Sequence, residues 1–320
     1  MATSSFLLPY QQRVLEEVSI ALKQIARGGN SQGMALYGPS GTGKTTTLDH
    51  LASSYKNYQD GYQRRVPLCR VPVLSRGDAY SIATTLLGQL GKPIGKGRPP
   101  KLTEIEPLVH DALITCGTLI IILEELGNAL LKSTAQLRGE LSRFLKNLWN
   151  LHPLDRPDGW AQPDQARGDH RIILIASGTT DILDALDKDP ELGSRFSCRI
   201  EAEQVKFYPP DSFRNFRKVA LEMAQRFGIS MLFDPNDDQT AARLLLGCAS
   251  HLRKLESVLS RAVTIHDMNS AMDRRDVLTQ AFDLAGGSTS EGANPFRITD
   301  AEVAARVAML QRLAGAPRQV

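Results

Sequence analysis

A glycine-rich loop near the start of the chain places the strongest constraint on what it folds into. The loop reads Gly38-Pro39-Ser40-Gly41-Thr42-Gly43-Lys44-Thr45 and follows the apolar run Met34-Ala35-Leu36-Tyr37. Between a strand and a helix, such glycines let backbone N–H groups turn toward a polyphosphate, while Lys44 reaches the outer phosphates and the Thr45 hydroxyl faces Mg²⁺. The sequence therefore predicts a nucleoside triphosphate site on a strand–loop–helix unit.

We expect ATP and Mg²⁺ as cofactors of this loop and of the helical turn that follows it. The expected nucleotide contacts are Gly38, Pro39, Ser40, Gly41, Thr42, Gly43, Lys44, Thr45 and Thr46. The alternative is a glycine-rich turn that carries Lys-Thr by chance. It is disfavoured because every fixed position of the motif matches in the predicted context.

Composition indicates a soluble globular chain with two packed domains and a tail, since its 320 residues are 42 % hydrophobic. The apolar run 119–123 is far too short to span a membrane, and residues 1–5 lack the basic start of a secretion signal. We therefore expect a cytoplasmic location and no membrane partner. Four cysteines without a Cys-x-x-Cys pair favour buried free thiols, and a net charge of +3 does not by itself indicate a nucleic-acid partner.

Apolar runs alternate with segments of helical periodicity over the first two thirds of the chain. This alternation predicts a parallel five-stranded sheet between helices, an α/β fold. The predicted strands are 33–37, 66–74, 118–123, 171–176 and about 199–207, and the predicted helices are 43–54, 78–90, 103–115, 133–149 and 180–187.

After residue 209 the pattern is helical only, which predicts a small α-helical lid. One helix is stopped by Gly228, a second spans about 237–246, and a third carries Leu252, Leu255, Leu259 and Ala262. Residues 286–292 have the composition of a flexible linker, and a capping box that begins at Thr299 predicts a last helix. We expect domains at 1–209 and 210–285 and a tail at 286–320, whose apolar helix face either packs on the lid or binds another protein.

Two carboxylates follow the third predicted strand of the sheet. Hydrolysis requires one carboxylate on the Mg²⁺ side and a second that orients the attacking water. Glu124 is the expected metal-side group, together with Thr45, and Glu125 is the expected water-activating group. The alternative is a surface Glu-Glu pair that opens a helix. One predicted strand lies between the loop and this pair, which is the order of the additional-strand ATPases.

Four further residues are candidates for sensing or promoting hydrolysis. Thr179, with Ser177 second, follows the strand 171–176 and is expected beside the γ-phosphate, unless these hydroxyls only cap the next helix. Arg195 ends a short helix and is an expected arginine finger toward a neighbouring subunit. Arg253 opens a lid helix and is expected to contact the nucleotide, or else it is a solvated helix residue.

Together these features resemble an AAA+ ATPase over about residues 32–266. More narrowly, several segments are similar to the TniB/TnsC family of Tn7-like transposition ATPases. These segments are Leu90-Gly91-Lys92-Pro93, Glu124-Glu125-Leu126-Gly127-Asn128-Ala129-Leu130-Leu131, Ser177-Gly178-Thr179 and Asp189-Pro190-Glu191-Leu192-Gly193-Ser194-Arg195-Phe196. The chain departs from the family at Glu124, where the family has Asp, and in an insertion at 153–169. A longer metal-side group predicts slow hydrolysis, because Mg²⁺ requires near-ideal geometry.

The resemblance implies an ATP-bound oligomer, a ring or a helical filament, that assembles on double-stranded DNA without sequence specificity. It also implies transposase and target-selector proteins as partners, with hydrolysis as the step that disassembles the oligomer. In support, the loop 92–101 carries cations and no carboxylate, although a solvated connector would have a similar composition. The expected DNA contacts are Lys92, Lys96, Arg98 and Lys101.

Two other functions remain open at this point. One is an origin-binding or helicase-loading AAA+ protein, whose lid helix would resemble residues 250–256, although no DNA-reading motif is evident after Asp267. The other is a nucleotide-gated scaffold that binds ATP and hydrolyses little of it, for which Glu124 and the C-terminal helix are the main support.

Overall fold

A computed structural model describes residues 7–73, 77–95, 99–150, 170–230, 237–285 and 294–315. The chain divides into two compact units. The sheet unit comprises Tyr10–Gly38 and Lys44–Ala202, and the helical unit comprises Met1–Pro9, Pro39–Gly43 and Glu203–Val320. The predicted domain bounds at residues 209 and 285 stay a prediction. The predicted insertion 153–169, the linker 286–292 and residue 74 of the second predicted strand lie outside the described residues.

The described residues contain seven strands in two sheets. The strands are β1 (Gln32–Tyr37), β2 (Tyr58–Asp60), β3 (Gln63–Arg65), β4 (Leu68–Pro72), β5 (Ile120–Glu124), β6 (Ile173–Gly178) and β7 (Cys198–Glu201). Five of them form a parallel sheet in the order β4-β5-β6-β1-β7, and β2 and β3 form an antiparallel hairpin. The predicted α/β fold with a five-stranded parallel sheet is confirmed.

Eight helices precede residue 202 in the described part of the chain. They are α1 (Pro9–Ala26), α2 (Lys44–Ser54), α3 (Ala79–Gln89), α4 (Leu102–Cys116), α5 (Leu126–Lys132), α6 (Ala135–Trp149), α7 (Asp181–Asp187) and α8 (Pro190–Arg195). β5 and β6 are almost wholly buried, as expected of parallel strands covered on both faces. Phe144 of α6 and Phe196 after α8 are fully buried, and each such side chain contributes roughly 1.5–3 kcal/mol.

Within the sheet unit, one predicted strand end is wrong, and one predicted helix is confirmed with a start two residues later. The last strand ends at Glu201 rather than near residue 207, because the apolar residues beyond it, Val205 and Phe207, are buried in irregular backbone. The helix predicted at 133–149 is confirmed as a single helix, α6, which begins at Ala135 because Ser133 is extended and Thr134 caps α6 by accepting from the Leu137 amide. An apolar pattern thus indicated burial correctly, while capping geometry set the bounds.

Helix α1 was missed from the sequence, although its signal was present. Tyr10, Val14, Val18 and Ala21 recur at helical spacing and are all buried. Gln11 of α1 donates from Nε2 to the Thr47 hydroxyl of α2 at 3.0 Å. Helix α1 is therefore joined directly to the helix that begins with Lys44.

The helical unit contains five described α-helices after residue 202. They are α9 (Pro210–Arg226), α10 (Asp238–Cys248), α11 (Leu252–Met268), α12 (Arg274–Leu284) and α13 (Asp300–Gly315). The capping box at Thr299 is present, since its amide donates to Glu302 at 2.7 Å and its hydroxyl accepts from the Glu302 amide. Helix α12 was missed, because the segment after Asp267 was interpreted as leading into a linker.

A buried arginine fixes the segment before α13 to the rest of the helical unit. Arg243 of α10 is 3 % exposed, donates to the Ile298 carbonyl at 2.9 Å and to the Pro295 carbonyl, and pairs with Asp300. Arg275 of α12 donates to the Phe296 carbonyl at 3.0 Å. A buried guanidinium is stable only when its donors are satisfied, so these carbonyls and Arg243 depend on each other.

Within the described residues, no helix combines the length and the apolar character that a membrane span requires. All four cysteines are free thiols; Cys69, Cys116 and Cys248 are buried and Cys198 is half-buried. Burial raises the pKa of Cys69 and of Cys248 to about 12, which keeps these thiols protonated.

Replacing Arg243 with Ala is expected to destabilise the helical unit by about 2–4 kcal/mol, because buried carbonyls lose their donor. Chemical denaturation measures the loss, and limited proteolysis after residue 285 should accelerate. Arg214→Ala is the control, since Arg214 forms only an exposed pair with Asp211. Equal stability of the two variants would contradict the anchoring role of Arg243.

Candidate nucleotide site

The base of the glycine-rich loop is fixed at the end of β1. Gly38 has φ +148°, and a Cβ at this position would lie 2.6 Å from the Ala202 carbonyl oxygen, so only glycine fits. The Lys44 ammonium donates to the Gly38 carbonyl at 2.7 Å across the loop. The sequence therefore folds into the strand–loop–helix unit that its glycines predict, with Lys44 at the start of α2.

Lys44 is buried, and its surroundings shift the pKa of its ammonium group. Burial lowers the pKa of Lys44, and the nearby Glu125 carboxylate opposes that shift. Thr45 and Thr46 follow in the first turn of α2, and both are exposed. The base of the loop thus combines a desolvated cation with accessible hydroxyls at a helix N-terminus, the chemistry that binds phosphate oxygens.

The tip of the loop, Pro39–Gly43, belongs to the helical unit and is bonded to the start of α11. The Leu252 amide donates to the Gly41 carbonyl at 2.8 Å, and His251 Nδ1 donates to the Ser40 carbonyl at 2.9 Å. Gly41 has φ +79°, and a Cβ there would lie 2.6 Å from His251 Nδ1. The sequence analysis missed His251, which is the residue just before the start of α11.

Two residues before α11 adopt left-handed backbone conformations that non-glycine residues rarely use. Ala249 has φ +46° and Ser250 has φ +66°. Each such residue costs of order 1–2 kcal/mol of folding free energy, which the surrounding contacts must offset. The strained turn leads directly into His251 and Leu252, the residues that bind the loop tip.

The two predicted catalytic carboxylates lie where β5 joins α5. Glu124 is the last residue of β5, and its register partner on β6 is Ser177. Glu125 has φ +58°, a left-handed conformation, and accepts from the Asn128 amide group at 3.2 Å. A left-handed conformation is unfavourable for a non-glycine residue such as Glu125. Residues strained in this way are concentrated at functional sites.

Glu124 is bound by an arginine that the sequence analysis did not identify. Arg70 of β4 donates from Nε to Glu124 Oε1 at 2.5 Å and from Nη2 to Glu124 Oε2 at 3.0 Å. The third nitrogen, Nη1, pairs with Asp49 of α2. Glu124 is 19 % exposed and Arg70 24 %, so the pair is largely shielded from water. No sequence motif marks Arg70; only strand pairing brings it to Glu124.

Ser177 and Thr179 lie at the carboxyl end of β6. Ser177 is buried, and Thr179 is half-buried and follows the last strand residue, Gly178. Thr180 occupies the N-cap position of α7 but makes no side-chain capping bond. The capping alternative therefore lacks support from the contacts of α7, and the sensor role of Thr179 stays a prediction.

Arg195 is engaged with its own unit. Its guanidinium lies 5.7 Å from the Trp149 ring centroid, donates to the Lys146 carbonyl at 3.2 Å and lies 3.5 Å from Glu191. Lys146 pairs with Glu191 at 2.7 Å, in a pocket that these side chains line. A role as an arginine finger would require Arg195 to leave these contacts, so it stays a prediction. Arg253, in the helical unit, is exposed in the first turn of α11.

The predicted DNA-binding loop is described in part. Lys96 and Arg98 lie outside the described residues. Lys92 pairs with Asp111 at 3.2 Å, and Lys101 is the N-cap residue of α4. The four predicted contacts are thus not shown to share one surface.

The β2–β3 hairpin lies beside Lys92 and adds features that the sequence analysis missed. The Arg64 Nη1 atom approaches Gly91, while Arg65 donates to the Thr115 carbonyl at 3.0 Å and pairs with Asp60. Tyr62 at the turn is fully exposed, and Tyr58 is 57 % exposed. Cations and exposed aromatic rings on one hairpin have the chemistry of a nucleic-acid surface.

The residue types fit both expected cofactors. Gly38 and Gly41 keep side chains away from the loop backbone, and Lys44 supplies the cation that a triphosphate requires. The Thr45 hydroxyl and the Glu124 carboxylate are hard oxygen donors, as Mg²⁺ prefers. The contact between Arg70 and Glu124 adds a positive charge on the metal side of the site.

Residues 4–154 match the family model described as Bacterial TniB protein. The match covers just under half of the chain and includes the loop, Arg70 and both carboxylates. It confirms the TniB resemblance over these residues. No curated protein matches the chain at a significant level.

Solved structures of AAA+ proteins share the fold at low sequence identity. The ORC2 protein of Aeropyrum pernix, solved as ADPNP–ADP complexes, matches with a TM-score of 0.62 and 15 % identity over 93 % of this chain and 71 % of that one. Cdc6p from Pyrobaculum aerophilum matches with a TM-score of 0.57 and 17 % identity over 89 % and 69 %. The Aeropyrum pernix ORC1 protein in complex with DNA matches with a TM-score of 0.52 and 16 % identity over 87 % and 66 %. The fold is that of an AAA+ core with a C-terminal helical region.

Glu125→Gly is expected to be more stable than Glu125→Ala by about 1 kcal/mol, because only glycine adopts the left-handed backbone there without strain. Because both variants lose the carboxylate, the difference between their unfolding free energies reports the cost of the left-handed backbone at residue 125. Denaturant titration of the nucleotide-free variants measures the difference. Equal midpoints would contradict a strained conformation at residue 125.

The pH dependence of stability is expected to reveal the lowered pKa of Lys44. Between that lowered folded-state pKa and the ordinary value of 10.5, the unfolded chain binds more protons, so stability rises with pH. Lys44→Met removes this dependence. The unfolding free energy of the natural chain minus that of the variant should therefore increase as the pH is raised through the alkaline range. Lys23→Met, at an exposed helix position, is the control; a flat difference for Lys44 would contradict the shift.

Proposed function

We propose that this chain, whose residues 4–154 match the TniB family model, is an ATP-dependent regulator of transposition. ATP-bound subunits assemble on double-stranded DNA and recruit or activate a transposase, and hydrolysis drives disassembly. The observation that carries the proposal is the complete phosphate loop beside Glu124 and Glu125, inside the region that matches the family.

ATP binding is assigned to the loop and Lys44, and hydrolysis to Glu125. Lys44 holds the outer phosphates, and Glu125 accepts the proton of the attacking water as ATP is cleaved to ADP and phosphate. Bound Mg²⁺ would be held by Thr45 and Glu124 and would neutralise charge on the phosphate oxygens. The proximity of Lys44 and Glu125 supports this arrangement, because their charges interact.

DNA binding is assigned to the basic loop and the hairpin beside it. Lys92, Arg64 and the exposed Tyr62 are the described residues that support it. Contacts of cations with phosphates carry no sequence information, so binding without sequence preference is expected. A solved neighbour, the ORC1 protein, is described in complex with DNA, which adds support from the fold.

Self-association is assigned to the AAA+ core, with Arg195 acting on the nucleotide of a neighbour. In the isolated chain Arg195 lies against Trp149 and the Lys146 carbonyl. Its release from these contacts would couple assembly to hydrolysis, since an arginine finger accelerates phosphoryl transfer by roughly 10³-fold or more. Transposase and target-selector proteins are the further partners of this proposal.

An origin-binding or helicase-loading role is the second candidate. The observation that favours it is the resemblance of the whole fold to ORC and Cdc6 proteins. Sequence identities of 15–17 % carry the fold alone. The TniB match therefore favours transposition. A nucleotide-gated scaffold that hydrolyses little ATP is a third candidate, for which Glu124 and the C-terminal helix are the relevant features.

The protein is expected to bind random-sequence duplex DNA only with ATP or a non-hydrolysable analogue, and to lose that binding as salt rises. Lys44→Met should weaken nucleotide binding by roughly 10–100-fold, since a charge-assisted bond is worth about 1.5–3 kcal/mol. A mobility shift and electron microscopy measure assembly, and filtration with labelled ATP measures nucleotide binding.

A matched pair of variants tests the DNA surface. Arg64→Gln should weaken DNA binding without changing ATP binding, whereas Arg214→Gln, at an exposed ion pair of α9, should change neither. Absence of any DNA shift with the analogue at low salt would overturn the proposal. Binding to an origin-like sequence but not to random DNA would favour the second candidate.

A further inference from the structure

Arg70 is bonded to Glu124, the carboxylate that is predicted to bind the metal. Its Nε and Nη2 atoms bind the two oxygens of Glu124 at 2.5 and 3.0 Å, and its Nη1 atom pairs with Asp49. A guanidinium that binds both oxygens of one carboxylate forms a planar fork, the strongest geometry for such a pair. Both oxygens of Glu124 are therefore already bonded within the protein.

Strand register explains why this fork needs two long side chains. Arg70 pairs with Ile122 across the β4–β5 ladder, and Glu124 pairs with Pro72, so the two residues are diagonal neighbours. They point to the same face of the sheet because side chains alternate. Diagonal neighbours on adjacent strands are farther apart than direct register partners, so long side chains are needed to bring their polar groups together. The additional methylene of Glu124 relative to Asp supplies that reach.

Arg70 is fixed in place by its backbone as well as by its side chain. Its amide donates to Gln89 Oε1 at 3.0 Å, and its carbonyl accepts from Gln89 Nε2, so a single glutamine of α3 binds the edge strand at this residue. The Glu124 fork raises the pKa of Arg70 above its usual range, against the effect of burial, with Asp49 adding to the rise. Arg70 is thus held through its backbone by Gln89 and through its guanidinium by Glu124 and Asp49.

Asp49 links the same arginine to the helix that follows the phosphate loop. It lies four residues after Thr45 on α2, so both residues lie on one face of the helix. Arg70 is consequently bonded to Glu124, the carboxylate proposed for the metal, and to the helix that carries Thr45, the hydroxyl proposed for it. A second cation at Glu124 would be repelled by the guanidinium that is already bonded to it.

We propose that Arg70 is a built-in counter-ion of Glu124 that competes with Mg²⁺, so that the chain binds ATP with a weakened dependence on Mg²⁺ and hydrolyses it slowly. The proposal rests on the ATP binding assigned above. It gives the Glu at position 124 a physical reason: the longer side chain matches the fork of Arg70. Arg70 acts through Glu124 and is a positioning residue.

The test measures binding of a fluorescent, non-hydrolysable ATP analogue as a function of free Mg²⁺. The Mg²⁺ midpoint is the free Mg²⁺ concentration at which analogue binding reaches half of its Mg²⁺-dependent increase. Arg70→Gln should lower this midpoint about tenfold, the factor that corresponds to about 1.4 kcal/mol, and should leave the affinity for the analogue in EDTA unchanged. Arg70→Lys keeps the charge but loses the two-bond fork, so its Mg²⁺ midpoint should lie between those of Arg70→Gln and the natural chain. Arg199→Gln is the matched control, because Arg199 pairs with Asp187 at 2.7 Å in an exposed pair.

Glu124→Asp keeps the proposal falsifiable if Arg70→Gln fails to fold. This variant withdraws the carboxylate from the fork and should also lower the Mg²⁺ midpoint and speed phosphate release. Combining it with Arg70→Gln should give no further shift, because the competing contact is already lost. An additional full shift in the double variant would overturn the competition, since Arg70 would then act independently of Glu124.

The remaining outcomes separate this inference from the proposed function. An unchanged Mg²⁺ midpoint in a folded Arg70→Gln that still binds the analogue overturns the counter-ion role and leaves ATP binding intact. A lower melting temperature with an unchanged midpoint assigns Arg70 a structural role only. Failure of the natural chain to bind the analogue at any Mg²⁺ concentration overturns the proposed function itself.

Discussion

The parallel register of β1, β5 and β6 is the constraint on which the candidate site depends. Glu124 lies opposite Ser177, and Ser177 lies opposite Leu36, the residue next to the last of β1. Because these strands run the same way, their carboxyl ends reach one edge of the sheet together. The phosphate loop, the carboxylate pair and Thr179 each follow one of these strands. A slip of one residue would turn Glu124 to the other face of the sheet.

Backbone strain is concentrated at the junctions that leave this framework. In the described residues, the non-glycine positions with positive φ are Glu125, Ala249 and Ser250. Glu125 is the residue between β5 and α5, and the other two precede the residues that bind the loop tip. Each conformation is unfavourable in isolation and is held by packing and hydrogen bonds. The strain thus lies at one predicted site residue, Glu125, and directly before the residues that bind the loop tip.

Charge pairing sets the character of the site as much as the loop does. The sequence presents Glu124 as a free carboxylate at a strand end, whereas the fold supplies Arg70 from the neighbouring strand. Arg195 is similar, since the sequence predicts a finger and the fold places it against Trp149. In both cases a residue predicted to act on a ligand has a partner within its own chain. For Glu124 or Arg195 to act on a ligand, its contact with Arg70 or with Trp149 would have to be exchanged for a contact with that ligand.

The sequence by itself determined the phosphate loop, the parallel sheet and the carboxylate pair, because glycine positions and apolar periodicity are local signals. It also carried the family resemblance, which the match over residues 4–154 bears out. It did not determine the partner of Glu124, the His251 contact with the loop tip, or the end of β7. These depend on residues distant in sequence that only strand pairing and helix packing bring together. No local pattern encodes such contacts, so the tertiary structure alone decided them.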